Sequence, residues 1–439
     1  MQKKIIVLAL ILAFAAPAAF AETDKAELEK LRAMVQELDQ KIRALEHKLE
    51  SKTETAAPVR ATANAGTAAG KSAAASAPAS LNTSSGVTFY GQVDLSYDFI
   101  NTGTAANGTA GVSKGNVSSN VSRIGLKGAE GLDDGLSVIW QIEQQINIDN
   151  TTEAGGTGTF ATRNSFVGLK HDTAGTVLLG RHDTPYKLAT RKLDPFADSV
   201  ADNRALMGGV TSPTTVDSAN TAFDGRPTNA ILYTSPKLGG FAGMIAYSNM
   251  TETNTMAAQA KNSLTSLAAT YDAAPFFGSL GYEEHKLDAT RVGGKESAWK
   301  VGLGYTMMDA FTLGFAYENT SDNLCTAVVA GGCAAVGADR FGHNAYYLSG
   351  NYKMGMNAVK LAYGKADKLA SVANTGASRF TLGYDHGLSK RTKLYAIYSR
   401  ISNKTASDYG FSQSTSAAST VNGVGSSPSV VSFGVRHNF

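Results

Sequence analysis

The chain has 439 residues, with 45 Gly but only 10 Pro, 2 Cys and 2 Trp, which excludes a collagen-like chain and a disulfide-stapled miniprotein. Hydrophobic residues make up 43% and charged residues 18%, enough apolar content for a large ordered structure. The formal net charge of +3 is too small to mark a nucleic-acid binder, so the class has to come from pattern.

Lys3 and Lys4 precede an apolar run from Ile5 to Ala16 that ends at Pro17, and Ala19-Phe20-Ala21 fits a small-x-small cleavage pattern. Residues 1–21 therefore read as an export signal, with the mature chain beginning at Glu22. The run is too short to cross a bilayer as a helix, and no later stretch is apolar for long enough. An exported chain of this kind enters a membrane only as a closed barrel.

Over residues 22–51 the apolar side chains fall at Leu28, Leu31, Val35, Leu38, Ile42, Leu45 and Leu49. The gaps alternate three and four, the heptad spacing of a self-associating helix. Leu28, Val35, Ile42 and Leu49 take the a positions, and Leu31, Leu38 and Leu45 the d positions. β-branched a residues with Leu at d lean toward two strands. The g and e charges Lys41 and Glu46 lean toward three, so the strand number stays open. Residues 52–85 are rich in Ala, Thr and Ser, carry Pro58 and Pro78 and lack any aromatic residue. They read as a flexible linker with a span on the order of 30 Å.

From Gly86 the hydrophobic period becomes two. Val87, Phe89, Val93, Leu95, Tyr97 and Phe99 share one face, while Tyr90, Gln92, Asp94, Ser96 and Asp98 share the other. Trp299, Val301, Leu303 and Tyr305 alternate with Lys300, Gly302, Gly304 and Thr306 in the same way. Such dyads describe a strand with one greasy and one wet side, although a soluble sandwich shows them too. The pattern predicts strands at about 87–100, 122–130, 136–148, 163–171, 176–182, 229–234, 241–249, 264–271, 276–284, 298–307, 310–318, 343–353, 358–365, 379–387, 392–401 and 428–439.

The links between them separate the alternatives. Gly131-Leu132-Asp133-Asp134-Gly135, Asp172-Thr173-Ala174-Gly175, Met354-Gly355-Met356-Asn357 and Ser389-Lys390-Arg391 are tight, whereas 101–121, 319–342 and 402–427 are long and polar. Alternation of short and long links gives one rim of turns and one of loops, the pattern of an outer-membrane barrel. The expected fold is therefore all-β, a 16-stranded antiparallel transmembrane β-barrel over residues 86–439. An even strand count returns both barrel ends to the turn rim, which puts the coiled coil in the periplasm. The last strand places Val431, Phe433, Val435, His437 and Phe439 on alternate positions, and a terminal Phe439 resembles the C-terminal assembly signal of such barrels.

Phe89-Tyr90-Gly91, the run from Ser122 to Gly128, Arg163 through Lys170, Leu179-Gly180-Arg181 and Phe439 together resemble the general porins of Gram-negative outer membranes. The resemblance covers residues 86–439. It implies a homotrimer of water-filled channels, assembled into the outer-membrane lipids by the barrel-assembly machinery, for passive diffusion of small hydrophilic solutes and ions. It also implies a third loop folded into the pore, and the long segment 183–228 is the third long link here. That loop carries Asp194, Asp198 and Asp202, and by motif match Arg123 and Arg163 resemble two of the wall arginines that face such carboxylates. Strand parity points Arg123 and Lys127 inward, and leaves Arg163 ambiguous. The enterobacterial-type loop motif is missing, so the resemblance does not assign which Asp faces the pore. Opposed charges across a narrow aqueous gap orient solutes and filter ions; the rival reading is that they only pin the loop.

Cys325 and Cys333 lie in one long link of an exported chain, where a small disulfide is expected. No His or further Cys stands at ligand spacing, so no metal is expected, nor any cofactor. The seven His are scattered. No Gly-x-Ser-x-Gly elbow, P-loop or His-Glu-x-x-His motif occurs, and His182-Asp183 has no nucleophile beside it, which argues against an enzyme. Two rivals to a general channel remain: a tether from the outer membrane to the peptidoglycan through the coiled coil, and a substrate-specific sugar or phosphate channel. Eleven basic and nine acidic side chains precede Gly86, leaving 29 and 28 in the barrel, so overall charge does not choose between anions and cations.

Overall fold

The computed structural model describes residues 86–149, 160–209, 223–249, 263–287, 294–329, 332–414 and 421–439. The expected export signal, coiled coil and linker lie outside these residues.

The described residues contain β1 (Gly86–Asn101), β2 (Ser113–Ser119), β3 (Arg123–Gly131), β4 (Leu136–Gln145), β5 (Ser165–His171) and β6 (Gly175–Arg181). A short helix, α1 (Pro185–Thr190), follows, and then β7 (Ala230–Thr234), β8 (Phe241–Asn249), β9 (Ser263–Ala273), β10 (Phe276–Leu287), β11 (Gly294–Met307) and β12 (Phe311–Asp322). A ribbon of β13 (Cys325–Val329) and β14 (Gly332–Val336) precedes β15 (Asn344–Met354), β16 (Asn357–Ala366), β17 (Ala377–Gly387), β18 (Thr392–Asn403) and β19 (Ser429–Asn438).

Apart from the β13–β14 ribbon, all strands join one 17-stranded sheet. It closes on itself, because β19 pairs antiparallel with β1, with Val435 opposite Leu95. Both β2 and β3 pair with β1, so they are two halves of one stave, and the barrel has sixteen staves. The break between them is a bulge. Gln92 faces Arg123 and Leu95 faces Ser119, so two residues of β1 oppose three at 120–122, with Val121 held at φ 53°. A β-branched residue in that left-handed region is strained. Here the bulge is held by the Asn120 N–H, which donates to the Asp94 carbonyl at 2.9 Å, and by the Asp94 N–H, which donates to Ser122 Oγ at 3.0 Å.

Outward positions are apolar along the staves. Leu280, Leu303 and Leu348 are about half exposed at 53%, 54% and 51%, the outward apolar face of a membrane barrel. Aromatic pairs mark both ends of this band. Phe241–Tyr271 (4.7 Å), Phe276–Tyr305 (5.1 Å) and Phe89–Phe439 (5.5 Å) lie toward the tight turns. Trp299–Tyr317 and Tyr317–Tyr346 (both 5.1 Å) lie toward the loops. Phe439 closes the seam: its N–H and carbonyl pair with the carbonyl and N–H of Gly91, both at 3.1 Å.

The apolar core is inside the barrel, under the third loop. Leu193, Phe196, Ala201 and Met207 of the loop pack on Phe277, Ala316, Ala345, Tyr347, Ala362, Tyr395 and Ile397 of the wall. Small wall residues make room for them: a Cβ added at Gly302 would meet Leu193 Cδ1 at 2.8 Å. The described part of the loop is therefore a packed insert with α1 at its start, as the resemblance implied. Thr184 caps α1, its hydroxyl accepting from the Lys187 N–H at 3.3 Å, and Pro185 opens it.

Three further expectations need correction. The strand expected at 163–171 begins at Ser165, so Arg163 precedes it and strand parity does not apply to it. The link 101–121 contains β2, whose sequence Ser-Lys-Gly-Asn-Val-Ser-Ser has no dyad to reveal it. The link 319–342 begins later, at the end of β12, and holds the ribbon. In the ribbon backbone Cys325 faces Val336 and Cys333 faces Val328; the expected disulfide rests on side chains outside those described.

Candidate functional site

The inserted loop brings its acidic residues against the barrel wall, and each does a different thing. Asp194 is buried and takes three donors: the Tyr347 hydroxyl at 2.6 Å and the N–H groups of Phe196 and Asn203, both at 2.9 Å. Asp202 is fully buried. It holds Arg191 Nη1 at 2.8 Å and Arg204 Nε at 3.0 Å, and it accepts the N–H of Asp198 at 2.9 Å. Both carboxylates are pins inside the loop.

Asp198 is the one that borders the lumen, with a fifth of its side chain exposed (20%), beside Arg123 (21%) and Arg191 (22%). It sits at φ 57°, where Asp is better tolerated than most residues. Its carboxylate meets Arg191 Nη2 at 2.6 Å, Arg123 Nη1 at 3.2 Å and Arg204 Nη2 at 3.6 Å. Its backbone carbonyl accepts from Arg436 Nη2 at 2.9 Å.

On the wall, Glu143 of β4 holds the second side of this cluster. Arg163 Nε lies 2.5 Å from Glu143 Oε1, and the Tyr90 hydroxyl donates to Oε2 at 3.0 Å. Arg123 Nε is 3.9 Å from the same Oε2, so Arg123 bridges the loop to the wall. Around the gap four guanidinium groups (Arg123, Arg163, Arg191, Arg204) face three carboxylates (Glu143, Asp198, Asp202). Lys127 points inward as parity required. It stands further toward the turns, however, with its ammonium 5.2 Å from the Tyr90 ring centroid, and it does not join the loop.

The charges set the protonation of the loop groups. Burial alone would raise Asp198, but the Arg191 and Arg123 guanidinium groups hold it at about 2. Burial opposes ionisation of Asp202 as well, and Arg191 and Arg204 overcome it and keep the carboxyl well below its usual range. Asp194 is raised, by burial and then by the Asp202 charge. At the start of the loop, burial pulls Lys187 down to about 8 even though its ammonium meets Asp183 at 2.7 Å. Asp183 also takes Arg226 Nη2 at 2.8 Å.

Three residues outside the sequence expectation hold the loop. Glu318, buried on β12, accepts the Tyr186 hydroxyl at 2.7 Å and the N–H groups of Gly208 at 2.9 Å and Gly209 at 3.1 Å. Both glycines have positive φ, 82° and 70°, a conformation that favours Gly. Arg379 donates to the Asp202 carbonyl at 2.6 Å. Arg436 pairs with Asp94, which is directly opposite across the seam and also takes the Tyr395 hydroxyl at 2.7 Å. Dyad parity places all three indoors, and nothing in the sequence says what each would meet there.

The family described as Gram-negative porin matches residues 61–406. Outer membrane porin protein 32 of Delftia acidovorans is 29% identical over 363 residues, covering 81% of this chain and 94% of the relative. Among solved structures the chain is similar to an anion-selective porin from Comamonas acidovorans, at 26% identity and TM-score 0.65 over 81% of this chain and all of that one. It also shares its fold with the trimer form of OmpT from Vibrio cholerae, at 16% identity and TM-score 0.57, covering 81% of this chain and 99% of that one.

Proposed function

The chain belongs to the Gram-negative porin family, and from that premise we propose that its constriction favours anions over cations. The protein is an outer-membrane porin, a channel for passive diffusion and not an enzyme. Anion preference is the finer reading. The observation that carries it is the charge cluster between the third loop and the wall, where four guanidinium groups (Arg123, Arg163, Arg191 and Arg204) meet three carboxylates (Glu143, Asp198 and Asp202) and leave one positive charge in excess. Guanidinium groups stay charged at all working pH values, and in a narrow aqueous gap such an excess attracts anions and repels cations. The related Comamonas acidovorans structure is described as anion-selective.

The test is the reversal potential of single channels in a KCl gradient. Chloride preference is expected, and Arg123→Glu should reduce or invert it. A wild-type channel that prefers potassium would refute the proposal.

The other assignments are proposals of the same kind. Arg123, Arg163 and Asp198 form the constriction proper, while Asp194 and Asp202 fix the loop behind it and Lys127 lines the lumen below. Phe439 serves as the assembly signal, and Cys325 and Cys333 form a loop disulfide. Residues 1–21 are a signal peptide, 22–51 a periplasmic coiled coil and 52–85 its linker. The assembly is a homotrimer, the state named for the Vibrio cholerae relative. The heptad run before Gly86 favours a second role, attachment to the peptidoglycan.

A further inference from the structure

Beneath the inserted loop, on the tight-turn side, a recess opens between Phe196–Ser199 and the wall strands β16 to β19. Its charged lining is Lys360, Asp385, Lys393 and Arg436, and Phe196 and Tyr395 form its aromatic back. Lys360 Nζ meets Asp385 Oδ2 at 2.6 Å and Lys393 Nζ meets the same oxygen at 2.7 Å. One carboxylate therefore serves two ammonium groups. Arg436 stands directly opposite Lys393 in the sheet register, and its guanidinium is already matched by Asp94. The recess thus keeps one positive charge in excess. Each ammonium has three donors and gives one to Asp385, so donors remain on both.

We propose that this recess binds a small doubly charged oxyanion. Lys360 and Lys393 would each donate to it, and Arg436 would add its field. The whole recess holds only about 20 Å³, room for a water-sized group, so the anion would seat one oxygen there and leave its body in the lumen. Phe196 and Tyr395 back the site with aromatic surface, and Lys360 Nζ already lies 5.9 Å from the Phe196 ring centroid. Low-dielectric backing strengthens charge-assisted hydrogen bonds at such a place. Asp385 sets the ammonium positions and keeps the site from being a permanent trap. The site adjoins the Arg123–Asp198 gap through Arg436, which donates to the Asp198 carbonyl at 2.9 Å, and lies on its tight-turn side, so it would act on an anion after the constriction, or on one entering from the periplasm. It rests on the porin reading only in that the lumen brings the anion to it.

The experiment uses the full chain in planar bilayers with a KCl background and inorganic phosphate at neutral pH added to one side at a time. Phosphate is expected to reduce the chloride current, and more strongly from the turn side than from the loop side. Lys393→Gln leaves Lys360 and Asp385 as a neutral pair and should weaken the phosphate effect about tenfold, the loss of one charge-assisted contact. Lys393→Arg should retain it. Lys360→Gln leaves the reciprocal pair and should weaken it comparably, which covers the case of a Lys393 variant that does not assemble. Equal phosphate sensitivity in wild type and both Gln variants would overturn the site. Stepwise conductance with no phosphate effect would overturn the site and leave the porin reading standing, whereas no stepwise conductance at all would overturn both.

Discussion

Asp194, Asp198 and Asp202 lie close in sequence, yet their substitution should have opposite consequences. Asp198→Asn removes a lumen-facing charge without leaving a buried cation alone, because Arg191 keeps Asp202 and Arg123 keeps Glu143 nearby. Anion preference should rise, with channel steps of ordinary lifetime. Asp202→Asn deprives Arg191 and Arg204 of a fully buried partner, a loss of about 3–5 kcal/mol for such pairs. It should show as noisy, flickering current, and the reversal potential distinguishes the two variants. Lys187 adds a pH dependence. Its pKa is lowered to about 8, so its charge is complete below that pH and lost above it, while an unfolded lysine stays charged to about 10.4. Folding therefore gains as pH rises through this window, while the loop loses a buried positive charge whose field reaches the lumen. Chloride preference should fall between pH 7 and pH 9, and Lys187→Arg should abolish the change. The residues behind these effects were only partly legible. Arg123 and the loop acids stood out by motif and position, but their division into two pins and one lumen group depends on the fold of the loop. Glu143 and Arg191 had no distinguishing neighbours in sequence.

At the scale of elements, the staves were readable because a lipid-facing strand must alternate. The expected 241–249 coincides with β8, and most other limits fall within a few residues. Elements that do not alternate carry no such signal. β2 has Val117 as its one large apolar side chain, α1 is a single capped turn and a half, and the ribbon stands in a loop. The same logic explains why the loop anchors escaped notice: Glu318 occupies an inward position like many polar residues, and only the folded loop gives it Tyr186 and the Gly208–Gly209 turn as partners. Its removal should free one end of the insert. Glu318→Ala would leave buried donors unsatisfied, at about 1–3 kcal/mol, and should enlarge fluctuations of the single-channel current. Tyr186→Phe, which removes one of the donors and keeps the packing, should do so more weakly. Equal, unperturbed currents in both variants would show that the apolar packing of Leu193, Phe196 and Met207 holds the loop without this anchor.

On the scale of the whole molecule, the barrel completes its own hydrogen bonding. β1 is paired on one side with β19 and on the other with β2 and β3, and Phe439 pairs with Gly91, so no edge waits for another segment. The packed insert, too, draws its wall partners from residues after Gly86. A chain deleted of residues 22–85 should therefore fold, insert and conduct with the same step size, because the described lumen-lining residues all remain. What it should lose, if the heptad run is a tether, is retention in the peptidoglycan fraction of gently lysed cells. A coiled coil also raises the local concentration of its partners, so the deleted chain should give up its oligomer at a lower temperature in detergent. The two outcomes are separable. Loss of conductance would mean that the extension enters the lumen or is needed to close the barrel, whereas loss of attachment with unchanged conductance would assign the two ends of the chain to different tasks. The complete hydrogen-bonded seam favours the second outcome, since a barrel that depended on residues before Gly86 would leave β1 short of a partner.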